Sequence, residues 1–314
     1  MGGSTAAVTR RRAVAGAALL TAITCALAWA LAFPDVGLAP AVVRAVADGA
    51  AVVTLGLAVV PMLDAGRHRG DLRRRSAVSL VAVSAVWLAT ELVRLVVLAA
   101  AAAGSSPLTV GWRTAYTFAV STGAGRAALL TIAAATLVLA LASWAPPTPT
   151  TGSTAVAAAA VGLLGHPLTG HLAHDPVGSL ALAAHVLAAA LWCGTLAAVV
   201  LTVEHRGQWS RVLPRFSQLS LWCVLVLLAG GIVAAITEMG SVAALLTTGY
   251  GRVLTAKIAC TIVLLGLAWR HRTVWVPAAR GHRSPAQLSR RRADTELAVM
   301  CVAVAAAGVL AVTG

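Results

Sequence analysis

Charge is scarce in this chain. Asp, Glu, Lys and Arg make up 11% of its 314 residues, roughly half the charged fraction of a soluble domain, which excludes an ordinary water-soluble protein as well as disorder and collagen. No phosphate-binding loop, nucleophile elbow, HExxH helix or dinucleotide fingerprint occurs, and no acid/base pair typical of a hydrolase stands out, so the expectation is a protein that is not an enzyme. Only five cysteines are present (Cys25, Cys193, Cys223, Cys260, Cys301), all inside apolar segments, where they cannot staple loops as a secreted framework would. What abounds is apolar surface. AVILMFWYC supply 59% of the residues and the mean hydropathy is +0.88, with runs near the ~20 residues that a helix needs to cross hydrocarbon.

Such runs cover about 13–33, 41–63, 76–103, 126–145, 153–165, 177–203, 216–239, 252–269 and 294–313. The fold expected is therefore all-α, a polytopic membrane bundle of about nine transmembrane helices, with the fifth the weakest. The formal net charge of +14 is explained by where the arginines fall: Arg10–Arg12, Arg67–Arg75, Arg206–Arg215 and Arg270–Arg292 hold 18 of the 24 basic residues, all in alternate loops. Short basic loops stay cytoplasmic, which places the chain in the cytoplasmic (inner) membrane with its N-terminus inside and its C-terminus outside. Dropping the fifth span would invert the second half. Nucleic acid is not an expected partner, whereas the lipid bilayer is. Trp112, Trp144, Trp209, Trp269 and Trp275 lie at span ends, as an interfacial aromatic belt would. The Arg-rich start leads into an apolar stretch long enough to span, and is read as an uncleaved first helix.

A shift of 126 residues aligns Ser121-Thr122-Gly123-Ala124-Gly125-Arg126 with Thr247-Thr248-Gly249-Tyr250-Gly251-Arg252. This gives a parallel internal four-helix repeat: a first copy at 1–145, a Pro/Thr-rich cytoplasmic linker at 146–152, a second copy at 153–270, a basic loop at 271–293 and an added helix at 294–314. Before each motif an outer amphipathic piece is expected (about 112–122 and 240–248), with the two glycines making a tight turn into the next helix.

Histidine clusters only in the second copy. The outer loop 165–176 contains His166, His171, His174 and Asp175; imidazole with carboxylate suits a borderline divalent ion or Cu(II), although the spacing matches no fixed zinc signature and a solvated polar loop is the alternative. His185 lies ~12 Å into span six, where an ionisable side chain needs a partner: a ligand, or another helix. Trp192 shares its helical stripe, and Gly194 leaves room for a neighbouring helix. Cys260 and Cys25 lie at a depth similar to that of His185, Lys257 one turn further out, Glu238 and Met239 at the outer rim, and Cys193 and Cys223 in the inner half. Thiolate and thioether favour Cu(I), so these residues form a possible ladder from outer loop to inner face; a buried free Cys is equally an apolar filler. Glu91 and Arg94, spaced i, i+3, read as a self-neutralising pair, and Asp48 as the counterpart of His185 in the first copy.

Gly165-His166, then His185 with Trp192-Cys193-Gly194, then Arg215-Phe216-Ser217, Gly230-Gly231, Leu245-Leu246-Thr247-Thr248-Gly249-Tyr250-Gly251-Arg252 and Lys257 together resemble the copper-resistance D (CopD) family of membrane proteins, actinobacterial type. The resemblance extends over about 150–275, and more weakly over 76–145. It implies copper handling, with copper moved from the outer compartment towards the cytoplasm or a cuproprotein. Its histidines correspond to His166 and His185, its tryptophan to Trp192 and its lysine to Lys257. An extracytoplasmic copper chaperone or an oxidase assembly factor is the partner implied. Cys193-Gly194 departs from the Gly-Gly common in the family, and the assembly module often joined to it is not expected within these 314 residues. The competing expectations are a haem-binding membrane redox or assembly protein, with His185 and either His166 or His171 as axial ligands, and a structural assembly partner that binds no metal.

Overall fold

The computed structural model describes residues 38–64, 68–146, 148–169, 176–238 and 249–275, with a few positions between 277 and 299. The described residues are helical, without strands. They fall into two compact units, one of Val46–Gly240 and one of Met1–Ala45 with Ser241–Gly314. The helices are α1 (Leu38–Val59, closing in a 3-10 turn Val60–Leu63), α2 (His68–Ala102), α3 (Trp112–Ser121), α4 (Gly123–Trp144), α5 (Pro149–Gly165), α6 (Pro176–Thr202), α7 (Arg206–Glu238) and α8 (Gly249–Arg270). Five stretches are long and apolar enough to cross a membrane: Val42–Leu63, His68–Ala102, Gly123–Trp144, Gly178–Thr202 and Arg206–Gly230. The first and ninth expected spans lie outside the described residues, apart from a few positions before 300.

Most helices begin a few residues before their apolar runs, and two begin two turns or more before them. α2 starts at His68 and α7 at Arg206, since arginine is a good helix former and the basic segments continue the helix past the apolar run. α4 and α8, which the 126-residue shift aligns, are both 22 residues long. Between α3 and α4 only Thr122 intervenes; its hydroxyl accepts from the Gly125 N–H, capping α4. Gly125 is needed there because a Cβ on it would lie 2.1 Å from the Phe118 carbonyl oxygen.

α5 has 17 residues, ~25 Å at 1.5 Å per residue, a little less than the hydrocarbon thickness. It nevertheless runs from one end of its unit to the other. Its start lies by the basic end of α2, since Arg73 Nη2 is 3.9 Å from where a Gly152 Cβ would be. Its far end places His166 against Glu91, ~27 Å further along α2. The buried stripe Ala155, Ala159, Gly162 and Gly165 faces the α2–α4 pair, where Gly162 makes space for the buried Trp87 ring and Ala134, and the Thr131 hydroxyl is 3.1 Å from the Gly162 carbonyl. Small residues allow this approach where hydrophobic expulsion from water is absent.

The basic starts of α2 and α7 meet at one end of the Val46–Gly240 unit. Arg211 grips the buried Asp64 through Nε–Oδ1 (3.0 Å) and Nη2–Oδ2 (3.2 Å). Arg69 donates to the Asp64 carbonyl and Arg215 to the Leu63 carbonyl, satisfying acceptors at the end of the 3-10 turn, while Arg75 pairs with Glu204 at 2.7 Å. These arginines are thus clasps as well as charge. Of the five tryptophans expected in an aromatic belt, Trp112, Trp144 and Trp269 are exposed, but Trp209 and Trp275 are buried. That corrects the belt assignment for these two: a position near a span end does not dictate which way the ring turns, and both rings pack inward.

Candidate functional site

At the end of the Val46–Gly240 unit opposite the clasps, three helices contribute to one polar chain. Glu91 and Arg94 lie one turn apart on α2, both buried, with Arg94 Nη1 3.3 Å from Glu91 Oε1. The same Nη1 stands 3.4 Å from Oδ1 of Asp48 on α1. The other Glu91 oxygen, Oε2, is 3.2 Å from Nε2 of His166, the residue that ends α5. The Glu91–Arg94 pair expected from spacing is present, but it is the middle of a four-residue chain rather than a closed unit.

The hydrogen between Glu91 and His166 belongs to the imidazole. Glu91 already accepts from Arg94 as a carboxylate, so Nε2 donates, and in a neutral ring the lone pair is then on Nδ1. A carboxylate behind one ring nitrogen, fixing the tautomer and raising the basicity of the other, is the arrangement that accompanies metal-ligating histidines.

His185 is fixed in the same sense by a different acceptor. Its Nδ1 is 2.8 Å from the Leu227 carbonyl on α7. A carbonyl only accepts, so Nδ1 carries the proton and Nε2 the lone pair in the neutral ring. Gly230, one turn beyond Leu227, permits this: a Cβ there would lie 2.7 Å from the Ala181 carbonyl and 3.2 Å from His185 Cβ. Interhelical hydrogen bonding, one of the two roles expected of His185, is therefore present, and the bond leaves Nε2 as the ligand-type nitrogen.

Trp192 is buried, with no hydrogen-bond partner for its indole N–H. Cys193 and Cys223 are both buried, and neither is in a disulfide. Gly194 allows close helix approach, and the helix it admits is α1: a Gly194 Cβ would meet the Val52 carbonyl at 2.0 Å and a Gly56 Cβ the Gly194 carbonyl at 1.9 Å. Among the described residues no group of three or more His, Cys, Asp or Glu gathers to hold a metal ion. His171, His174, Met239 and Cys25 lie outside the described residues, as do the side chains of Glu238, Lys257 and Cys260. The donors in view fit copper by type, imidazole with carboxylate behind it. The link from His166 to Glu91 was not anticipated. Its one sequence signal is depth, since Glu91, Arg94 and Asp48 all fall in the halves of their apolar runs away from the basic loops at 67–75 and 206–215.

Two family models match in succession: "Copper resistance protein D-like, N-terminal domain" over residues 33–182, and "Copper resistance protein D" over residues 210–310. The chain belongs to the copper-resistance D family. No curated protein matches it, and no solved structure does. In this copper-resistance D protein the whole chain from Asp48 to His166 falls in the first match, and Leu227 and Gly230 fall in the second. His185 and Trp192, which carried much of the sequence resemblance, lie in the stretch between the two.

Proposed function

We propose that this membrane protein takes up copper at the His166 end and passes it across the cytoplasmic membrane by way of His185, without chemistry that makes or breaks covalent bonds. Copper is the cargo. The observation that carries this is the pair of oriented imidazoles, each held through one nitrogen by a fixed acceptor so that the other has the lone pair. His166 captures the ion at the outer mouth, joined by His171 and His174 of the same loop, and His185 receives it within the membrane. An extracytoplasmic copper chaperone is the donor that suits an outer capture site.

His185→Asn tests the central residue. The asparagine amide keeps a donor close to where Nδ1 meets the Leu227 carbonyl but has no ring nitrogen to bind metal. Expected is folded protein at normal abundance with copper binding, or copper-dependent growth, reduced more than about tenfold. His185→Ala also loses the interhelical bond, worth about 1 kcal/mol, and should lose copper to the same degree. Wild-type copper content in both variants would reject the transfer role. His166→Ala should impair uptake mainly at low copper.

Orientation is tested separately. A cysteine introduced at Ala173 is expected to react with an impermeant thiol reagent in intact cells, and one at Ala286 to be protected. The reverse pattern would put the His166 end in the cytoplasm and reverse the direction of capture.

A further inference from the structure

Arg94 divides one nitrogen between two acids. Its Nη1 is 3.3 Å from Glu91 and 3.4 Å from Asp48, longer than an ordinary charge-assisted bond and unlike the two-point grip of Arg211 on Asp64 at 3.0 and 3.2 Å. The guanidinium is thus suspended between its partners. The surroundings differ on the two sides: Glu91 is buried, whereas the Asp48 side chain is 35% exposed. Glu91 is also the acid behind His166. A cation drawn close to Glu91 offsets the negative charge that makes the imbedded imidazole a stronger donor, and this effect is poorly screened away from water. Asp48 pulls the same cation the other way, across to α1.

We infer that Asp48, Arg94 and Glu91 form a relay that sets the copper affinity of His166, with Arg94 weakening it and both acids strengthening it. All three are positioning residues that act through His166. The inference rests on the proposal that His166 is a copper ligand; it adds a means of grading that ligand from another helix.

The test is a competition titration of the purified full-length protein with Cu(II), and with Ag(I) as a redox-inert stand-in for Cu(I), against a chelator of known affinity. For the ion that binds wild type, Glu91→Gln is expected to bind about tenfold to a hundredfold more weakly, the range for loss of a partner behind a ligating histidine. Asp48→Asn should weaken binding by about threefold to tenfold, because Arg94 then rests wholly on Glu91. Arg94→Gln should tighten it by a similar factor. Opposite signs from the two ends of one ion pair separate a relay from a structural role, in which losing either end loosens the same contact. Folded Arg94→Gln with unchanged or weaker affinity would overturn the relay. If that variant does not fold, Asp48→Asn decides, since its carboxylate is partly in solvent: unchanged affinity there overturns the relay as well. His166→Ala separates the two levels. Wild-type affinity in that variant removes the copper role of His166 itself, whereas a loss in His166→Ala with none in the relay variants refutes the relay alone.

Discussion

Gly194→Val is expected to leave little folded protein in the membrane. At the crossing of α1 and α6 the two backbones touch through Gly56 and Gly194, and a single Cβ on either would come within 2.0 Å of a carbonyl oxygen of the other helix. No rotamer relieves this, because the obstacle is backbone. α6 is buried without interruption from Trp192 to Val200, so it cannot move away from α1 without pressing on its other neighbours. Overpacking a well-filled core costs about 1–3 kcal/mol, and a backbone clash in a helix enclosed on all sides should reach the top of that range or pass it. Gly56→Ala should behave similarly. Gly49→Ala is the control: it lies on α1 with nothing within 4 Å of its Cβ position, and should be neutral or slightly stabilising from the gain in helix propensity. Thermal unfolding in detergent with size-exclusion profiles reads all three. An unfolding midpoint for Gly194→Val equal to that of wild type would show that the crossing is looser than its geometry requires.

Arg211→Ala is the second large effect expected, and the asymmetry within its ion pair is the informative part. Asp64 is 1% exposed while Arg211 is 36% exposed. Truncating the arginine removes the two-point partner of a carboxylate that water cannot reach, whereas removing the acid leaves an arginine that water can still solvate. Breaking a fully buried pair costs about 3–5 kcal/mol; with Arg211 partly in solvent, about 2–3 kcal/mol is the expected loss. Asp64→Asn should cost clearly less, and adding it to Arg211→Ala should recover part of the stability, since the buried carboxylate that lost its two-point partner is then neutral. Equal losses in the two single variants, with simple additivity in the double, would contradict the burial argument. The arginines of this end thus have two roles. They set a charge bias along the chain, and they bind the end of α1 to the starts of α2 and α7.

The regions most easily read in the sequence were those where one segment determines the outcome by itself. Apolar length placed α1, α2 and α4 to α8 within a few residues at most ends, and the early starts of α2 and α7 escaped because hydropathy does not register an arginine-rich helical turn. Thr122, Gly125 and the short amphipathic α3 were visible as a local motif. The role of Gly194 was anticipated, but not its partner Gly56 on α1. Trp209 and Trp275 show the opposite limit, since a ring at a span end can face lipid headgroups or the core, and rotation about the helix axis decides.

The candidate site divides along the same line. His166 and His185 were found because histidine is rare and conspicuous in an apolar chain. The acceptors that orient them were not: Glu91 is 75 positions before His166, and Leu227, whose carbonyl fixes His185 from 42 positions away, acts through its backbone, which no side-chain pattern reveals. By itself the sequence determined a membrane-embedded helical chain with basic clusters in alternate loops and histidines towards one end, because hydropathy, charge and residue type accumulate along each segment independently of its neighbours. Only the tertiary structure decided that Arg94 stands between two acids, that Glu91 backs His166 and that α1 lies against α6 through glycine. Those relations depend on the rotation and register of packed helices, where a shift of one residue turns a side chain by ~100° and separates the atoms that meet.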